Sequence, residues 1–138
     1  MKIDEICDDF EDLGDPTDQM QYLIELGQGL GGLDARYKTE DNRVQGCQSN
    51  VWLIASPDEQ NPAAMKFEAD SDAIIVKGIV AVLLAAYSGR TPEEILAYPI
   101  DEVFERLKLT RFLSPLRSNG LHSMVKRIQA LAQHSLAA

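Results

Sequence analysis

Cys7 and Cys47 are the two side chains of this sequence best suited to nucleophilic or group-carrying chemistry. A thiol reacts as its thiolate, so its surroundings decide whether it is inert or active. Cys7 stands at helical spacing beside Ile3, Ile6 and Phe10, an apolar stripe on which a free cysteine acts as a small hydrophobe. Cys47 lies instead in the polar stretch Gln45-Gly46-Cys47-Gln48-Ser49, just before the apolar run Val51 to Ile54. Gly46 frees the backbone for a tight turn that would present the thiol at a loop tip. Arg43, four residues earlier, would favour the thiolate if its guanidinium lies close. From spacing alone, Cys47 reads equally as a packed thiol and as a reactive one.

Little else has chemical spacing. His122 and His134 stand twelve positions apart in the last helical segment, without carboxylates or cysteines at ligand spacing, so no metal site is expected. The glycines from Gly27 to Gly32 follow a helix and do not open one, unlike a phosphate-binding loop. The acids near the N-terminus lack an apolar pocket that would raise a pKa, and read as solvated.

Periodicity supplies the elements that must hold Cys47. Ile3, Ile6, Cys7, Phe10 and Leu13 predict a short amphipathic helix ended by Gly14. Asp15-Pro16 predicts a cap and start for a second helix, with Met20, Leu23, Ile24 and Leu30 as its stripe and Gly27, Gly29, Gly31 and Gly32 loosening its end. Arg36 to Asn42 reads as loop. Val51 to Ile54 is a strand ending at Ser56-Pro57, and Met65, Phe67 and Ala69 alternate with Lys66 and Glu68 in a second. The short connection favours an antiparallel hairpin. Ser71 and Asp72 are candidate caps for a nearly all-apolar helix, Ala73 to Tyr87, expected to lie buried on the sheet. Thr91-Pro92-Glu93-Glu94 has the form of a capping box. Further helices are expected near Asp101 to Leu107 and after Ser114-Pro115. The order predicts an α+β fold, a small antiparallel sheet with helices packed on it.

At 138 residues the chain suits one domain, residues 1–138, large enough to fold without disulfide or metal. Its net charge of −9 disfavours nonspecific binding to nucleic acid or to anionic membrane. The apolar run Ile79 to Tyr87 is too short to span a bilayer. An acidic N-terminus unlike a leader, together with two unpaired thiols, leads to the expectation of a cytoplasmic protein. Eight acids fall between Asp4 and Asp18, whereas six bases and three acids follow Ile100. Two solvated faces of opposite sign explain this, and so does steering of a protein partner.

The segment Val44-Gln45-Gly46-Cys47-Gln48-Ser49-Asn50-Val51-Trp52 closely resembles the cysteine motif of the SufE/CsdE family of sulfur-acceptor proteins. Similar matches are Tyr22-Leu23-Ile24-Glu25-Leu26-Gly27, Asp70-Ser71-Asp72-Ala73 through Ile75-Val76-Lys77-Gly78, and Phe112-Leu113-Ser114-Pro115 with Arg117-Ser118-Asn119-Gly120-Leu121. The resemblance implies a fold like that of the IscU scaffold and a persulfide relay. A cysteine desulfurase, which holds the pyridoxal phosphate itself, would pass sulfur to Cys47, and the acceptor would stimulate it. An iron–sulfur scaffold, SufB-like, or another recipient would receive the sulfur. By the same resemblance Gly46 and Gln48 shape the loop, Asp70, Asp72 and Lys77 fall close to it, and Arg117 lies in the closing motif. A helix cap for Asp72 and a paired, half-buried charge for Lys77 are the plainer readings. For Arg117, partner contact and structural pairing stand level, and Leu116 departs from the smaller polar residue often preceding that arginine. Two other functions stay open: a regulatory module of a desulfurase that carries no sulfur, and an IscU-like scaffold, which would need more ligands than two cysteines.

Overall fold

The structure is a computed structural model that describes residues 2–137, apart from the side chain of Arg117. Helix α1 (Ile3–Leu13) buries Ile3, Ile6, Cys7 and Phe10, as its spacing predicts, and ends at Gly14 with φ +67°. Helix α2 (Pro16–Gln28) is capped by the Asp15 carboxylate, which accepts from the Thr17 amide at 2.8 Å.

The buried row of α2 differs from the expected one. It consists of Gln19, Leu23 and Gly27, while Met20 is exposed. Gly27 does not loosen a helix end. It meets Gly78 of helix α3 (Ile74–Tyr87), so a Cβ on Gly27 would sit 2.7 Å from the Gly78 amide nitrogen, and one on Gly78 would overlap the Leu23 carbonyl. The two helices touch backbone to backbone, and this close approach selects which face of α2 is buried. Gln19, in the same row, donates to the Phe10 carbonyl at 2.8 Å and accepts from Arg111 at 2.6 Å.

The stretch read as loop forms two short 3-10 turns, Ala35–Tyr37 and Glu40–Asn42. Asp34 starts the first by accepting from the Arg36 amide, and an Asn42-to-Tyr37 hydrogen bond joins the two. Strands β1 (Val51–Pro57) and β2 (Met65–Ser71) form the expected antiparallel hairpin, with Val51 opposite Ser71 and Leu53 opposite Ala69. A two-stranded ribbon is marginal alone. Here Val51, Leu53, Met65, Phe67 and Ala69 join one hydrophobic core with α3 and the other helices.

Helix α4 (Pro92–Ala97) has the predicted capping box between Thr91 and Glu94. Helix α5 (Ile100–Leu107) starts one residue before the expected point, and the long helix α6 (Pro115–Ala137) closes the chain. Leu121, Met124, Val125, Ile128 and Ala132 of α6 are buried. The opposite charges at the two ends of the sequence partly meet inside the molecule, since Arg106 of α5 pairs with Asp8 and Glu11 of α1. The fold is thus α+β. No helix among the described residues is long and apolar enough to cross a membrane.

Candidate functional site

A groove of about 850 Å³, bordered by α1, α2 and α3, is lined by residues such as Ile6, Tyr22 and Leu84 and includes none of the predicted site residues. The candidate thiol lies elsewhere, in the loop from Val44 to Val51. Its ends are pinned. The Val44 amide donates to the Val51 carbonyl at 2.8 Å, and Arg43 bridges to Trp52. On the other side Asn50 and Asp72 grip one another. The Asn50 side-chain amide donates to one Asp72 carboxylate oxygen at 2.9 Å and the Asn50 backbone amide to the other at 3.2 Å. The Ser71 hydroxyl donates to the Asn50 carbonyl at 2.8 Å.

Asp72 is therefore not the cap of α3. Ala73 occupies that position without a side-chain acceptor, and the Ser71 hydroxyl takes the Ala73 amide at 3.2 Å. Asp72 instead faces Asn50, whose backbone and side-chain amides both donate to its carboxylate.

Between those pins the chain turns at Gly46, φ +88°, the left-handed region that favours glycine. A Cβ there would lie 2.5 Å from the Ser123 hydroxyl of α6, so a larger residue would also have to turn that hydroxyl aside. Cys47 follows, half-buried against α6, and its thiol donates to the Gly120 carbonyl at 3.4 Å. Cys47, Gln48, Ser49, Val76, Gly120 and Met124 line a recess of about 10 Å³, while Gln48 itself is exposed.

Burial pushes the Cys47 thiol above its ordinary value, and Arg43 draws it back only partly. Glu40 holds the Arg43 guanidinium through two hydrogen bonds, at 2.7 and 3.0 Å, which shares its charge. Burial of the resting loop therefore favours the neutral thiol over the thiolate. Arg127 of α6 donates to the Asp41 carbonyl at 2.9 Å and ties the turn carrying Glu40 to the same helix.

Asp70 and Lys77 form a separate cluster. The Asp70 carboxylate, 9% exposed, takes Lys77 and Lys38 at 3.1 Å each, together with the Ser71 and Leu33 amides. Burial alone would raise its pKa, but the lysines and amides outweigh that and hold it below the usual carboxylate range. Lys77 is thus a paired, half-buried charge. Lys38 also lies over the Trp52 ring, 5.4 Å from its centroid. The cluster ties the 3-10 segment and α3 to β2, next to the Asn50–Asp72 clamp and without a contact to Cys47. The Arg117 backbone lies in the first turn of α6, and its side chain lies outside the described residues.

Sequence reasoning gave no role to Asn50, Gly120 or Ser123. Asn50 had a local signal, an Asx side chain just before a strand, where it tends to bond nearby backbone. Gly120 stands in the closing motif, but nothing in the sequence sets it against Cys47, 73 residues away, and Ser123 had no signal. His122 and His134 are exposed, and Cys7 is 1% exposed within the core. Among the described residues no group of three or more His, Cys, Asp or Glu is placed to hold a metal ion.

Comparison with known proteins adds three findings. Residues 4–132 match the sequence model of SufE, described as an Fe-S metabolism associated domain. An uncharacterised SufE-like protein of Rhizobium etli is 49% identical over 138 residues, covering 99% of this chain and 93% of the relative, and one of Rhizobium meliloti is 41% identical over 138 residues, covering 99% and 98%. The solution structure of a hypothetical protein from Thermus thermophilus superposes with a TM-score of 0.77 over 99% of this chain and 96% of that one, and at 22% identity it speaks for the fold alone. With the family match spanning nearly the whole sequence, this chain belongs to the SufE family, proteins of iron–sulfur metabolism associated with cysteine desulfurases.

Proposed function

We propose that this chain accepts sulfur on Cys47 from the persulfide of a cysteine desulfurase and delivers it for iron–sulfur cluster assembly. The observation that carries the reading is the setting of Cys47: a thiol at a glycine turn, on a loop pinned at both ends, at the protein surface. The step needs no metal and no acid–base pair. The Cys47 thiolate attacks the outer sulfur of the desulfurase persulfide. A new sulfur–sulfur bond forms on Cys47, the old one breaks, and the desulfurase cysteine leaves as a thiolate. Removing the sulfur frees that cysteine for another turnover, which accounts for stimulation of the partner.

A protonated resting thiol is a poor nucleophile, so the partner must activate it. Docking of the desulfurase draws Cys47 out of the recess against Gly120 and brings it to the persulfide, where a cationic or basic group of the partner favours the thiolate. Gly46 is the flexible point, while the Val44–Val51 and Asn50–Asp72 pins keep the movement confined to the loop tip. The protonated thiol also suits a regulatory module that binds the desulfurase and carries nothing.

Cys47→Ser separates the two. The acceptor reading predicts that the variant folds normally, binds the desulfurase and no longer takes sulfur or accelerates turnover. Turnover accelerated as well as by wild type would sink it.

A further inference from the structure

The 3-10 turn Glu40–Asn42 leads straight into the Cys47 loop, and side chains three apart on such a turn eclipse one another. Glu40 and Arg43 are such a pair. The Glu40 carboxylate takes two hydrogen bonds from the Arg43 guanidinium, at 2.7 and 3.0 Å. It takes a longer one, 3.4 Å, from the side-chain amide of Gln45, within the loop itself. Arg43 is the less exposed partner, 27% against 73% for Glu40, and its backbone bridges to Trp52 at the base of the loop. The turn is also held without this pair, since Arg127 of α6 donates to the Asp41 carbonyl and Asn42 to the Tyr37 carbonyl. An ion pair this exposed adds little to stability. Its position gives it a different effect. The recess around Cys47 is lined by neutral residues: Gln48 and Ser49 of the loop, Val76 of α3, Gly120 and Met124 of α6. Among the described residues, Arg43 is the charged group whose field reaches the thiol. Lys77 of α3 is taken by Asp70, and His122 and Lys126 of α6 are exposed. The Arg117 side chain lies outside the described residues.

We infer that Arg43 is this chain's own counter-ion for the sulfur of Cys47, and that Glu40 acts through Arg43 as a positioning residue that sets how much of its charge the sulfur feels. The inference rests on the reading of Cys47 as the acceptor thiol and adds the residues that tune it. Before the attack the thiol must become a thiolate, and afterwards the loop carries a persulfide that is itself an anion. A cation at the base of the loop favours both. A carboxylate clasped to that cation cancels much of its field at a distance, because the pair then acts more as a dipole than as a charge. Glu40 thus holds the thiol quiet in the free protein, and Arg43 keeps it within reach of ionisation.

The test uses Arg43→Gln, Arg43→Lys, Glu40→Gln and the double variant Glu40→Gln with Arg43→Gln. Lys126→Gln, which removes an exposed base of α6, is the control. The rate of Cys47 alkylation in the free protein is followed across pH with iodoacetamide, a neutral reagent whose approach the substitutions do not steer. Peptide mapping separates Cys47 from Cys7. At a fixed pH below the midpoint, Arg43→Gln should react roughly threefold more slowly than wild type, and Glu40→Gln faster by about the same factor. Arg43→Lys keeps the charge without the two-pronged grip and should stay within about twofold of wild type. Added to Arg43→Gln, Glu40→Gln should bring no further acceleration. The differences should shrink in high salt, and the control should match wild type. An Arg43→Gln profile that superposes on that of wild type would overturn the inference. So would Arg43→Lys slowed as much as Arg43→Gln, since the role would then be the grip and not the charge. Equal acceleration by Glu40→Gln with and without Arg43 would overturn the positioning role of Glu40. The profile is read without a desulfurase, so its failure leaves the acceptor reading intact. A wild-type chain that takes no sulfur, while the variants shift as stated, overturns that reading and leaves the tuning pair standing.

Discussion

Cys7 and Cys47 carry the same functional group in opposite settings. Cys7 is sealed in the core, where burial raises its pKa and the acids of α1 add to the effect. Cys47 is also raised by burial, but by the packing of a surface loop against α6. The folded chain resists ionisation of this thiol, so stability falls as pH rises above the unfolded pKa of about 8.5. Alkylation of Cys47 in the free protein should therefore have a midpoint at higher pH than in the denatured chain. A midpoint at or below the denatured one, followed by peptide mapping, would contradict the geometry. Asp70 runs the other way. Its carboxylate is held below the usual range, so its contribution is present above the unfolded pKa of about 3.9 and lost as pH falls through the folded value. Asp70→Asn would leave Lys38 and Lys77 without their partner and cost about 3 kcal/mol at pH 7, the low end for a broken buried pair because both lysines are partly exposed. Urea unfolding should show that difference shrinking toward pH 3, and a constant difference would refute the assignment.

At the scale of elements, what was legible in the sequence was what local chemistry decides. The Asp15-Pro16 start, the Thr91–Glu94 capping box, the Ile3–Phe10 stripe and the Val51/Met65 hairpin each have a signal within a few residues, and each is found. The differences arise where distant segments compete for a group. Asp72 has the form of a helix cap but serves Asn50, 22 residues away. Gly27 resembles a frayed helix end, yet it is the contact point of α2 with α3. The packing of Cys47 onto Gly120 belongs to the same class. Gly78→Ala tests the crossing of α2 and α3. Alanine gains about 1 kcal/mol of helix propensity over glycine, but its Cβ overlaps the Leu23 carbonyl, and overpacking against backbone costs about 3 kcal/mol. The clash should win, with a net loss of about 2 kcal/mol in denaturant unfolding. A stabilised variant would mean that the helices lie further apart.

The whole molecule reads as a scaffold for one loop-borne thiol. Helix α6 supplies the surface on which Cys47 rests, α3 and β2 hold the base of its loop, and α1 with α5 lock the opposite end through Arg106. The most direct test of the central claim is intact-mass analysis of the protein after incubation with a cysteine desulfurase and free cysteine, without reductant. The account predicts a gain of one sulfur atom, mapped to Cys47 and absent from Cys47→Ser. A wild-type chain that binds the desulfurase and gains no sulfur, or gains it at Cys7, would contradict the account.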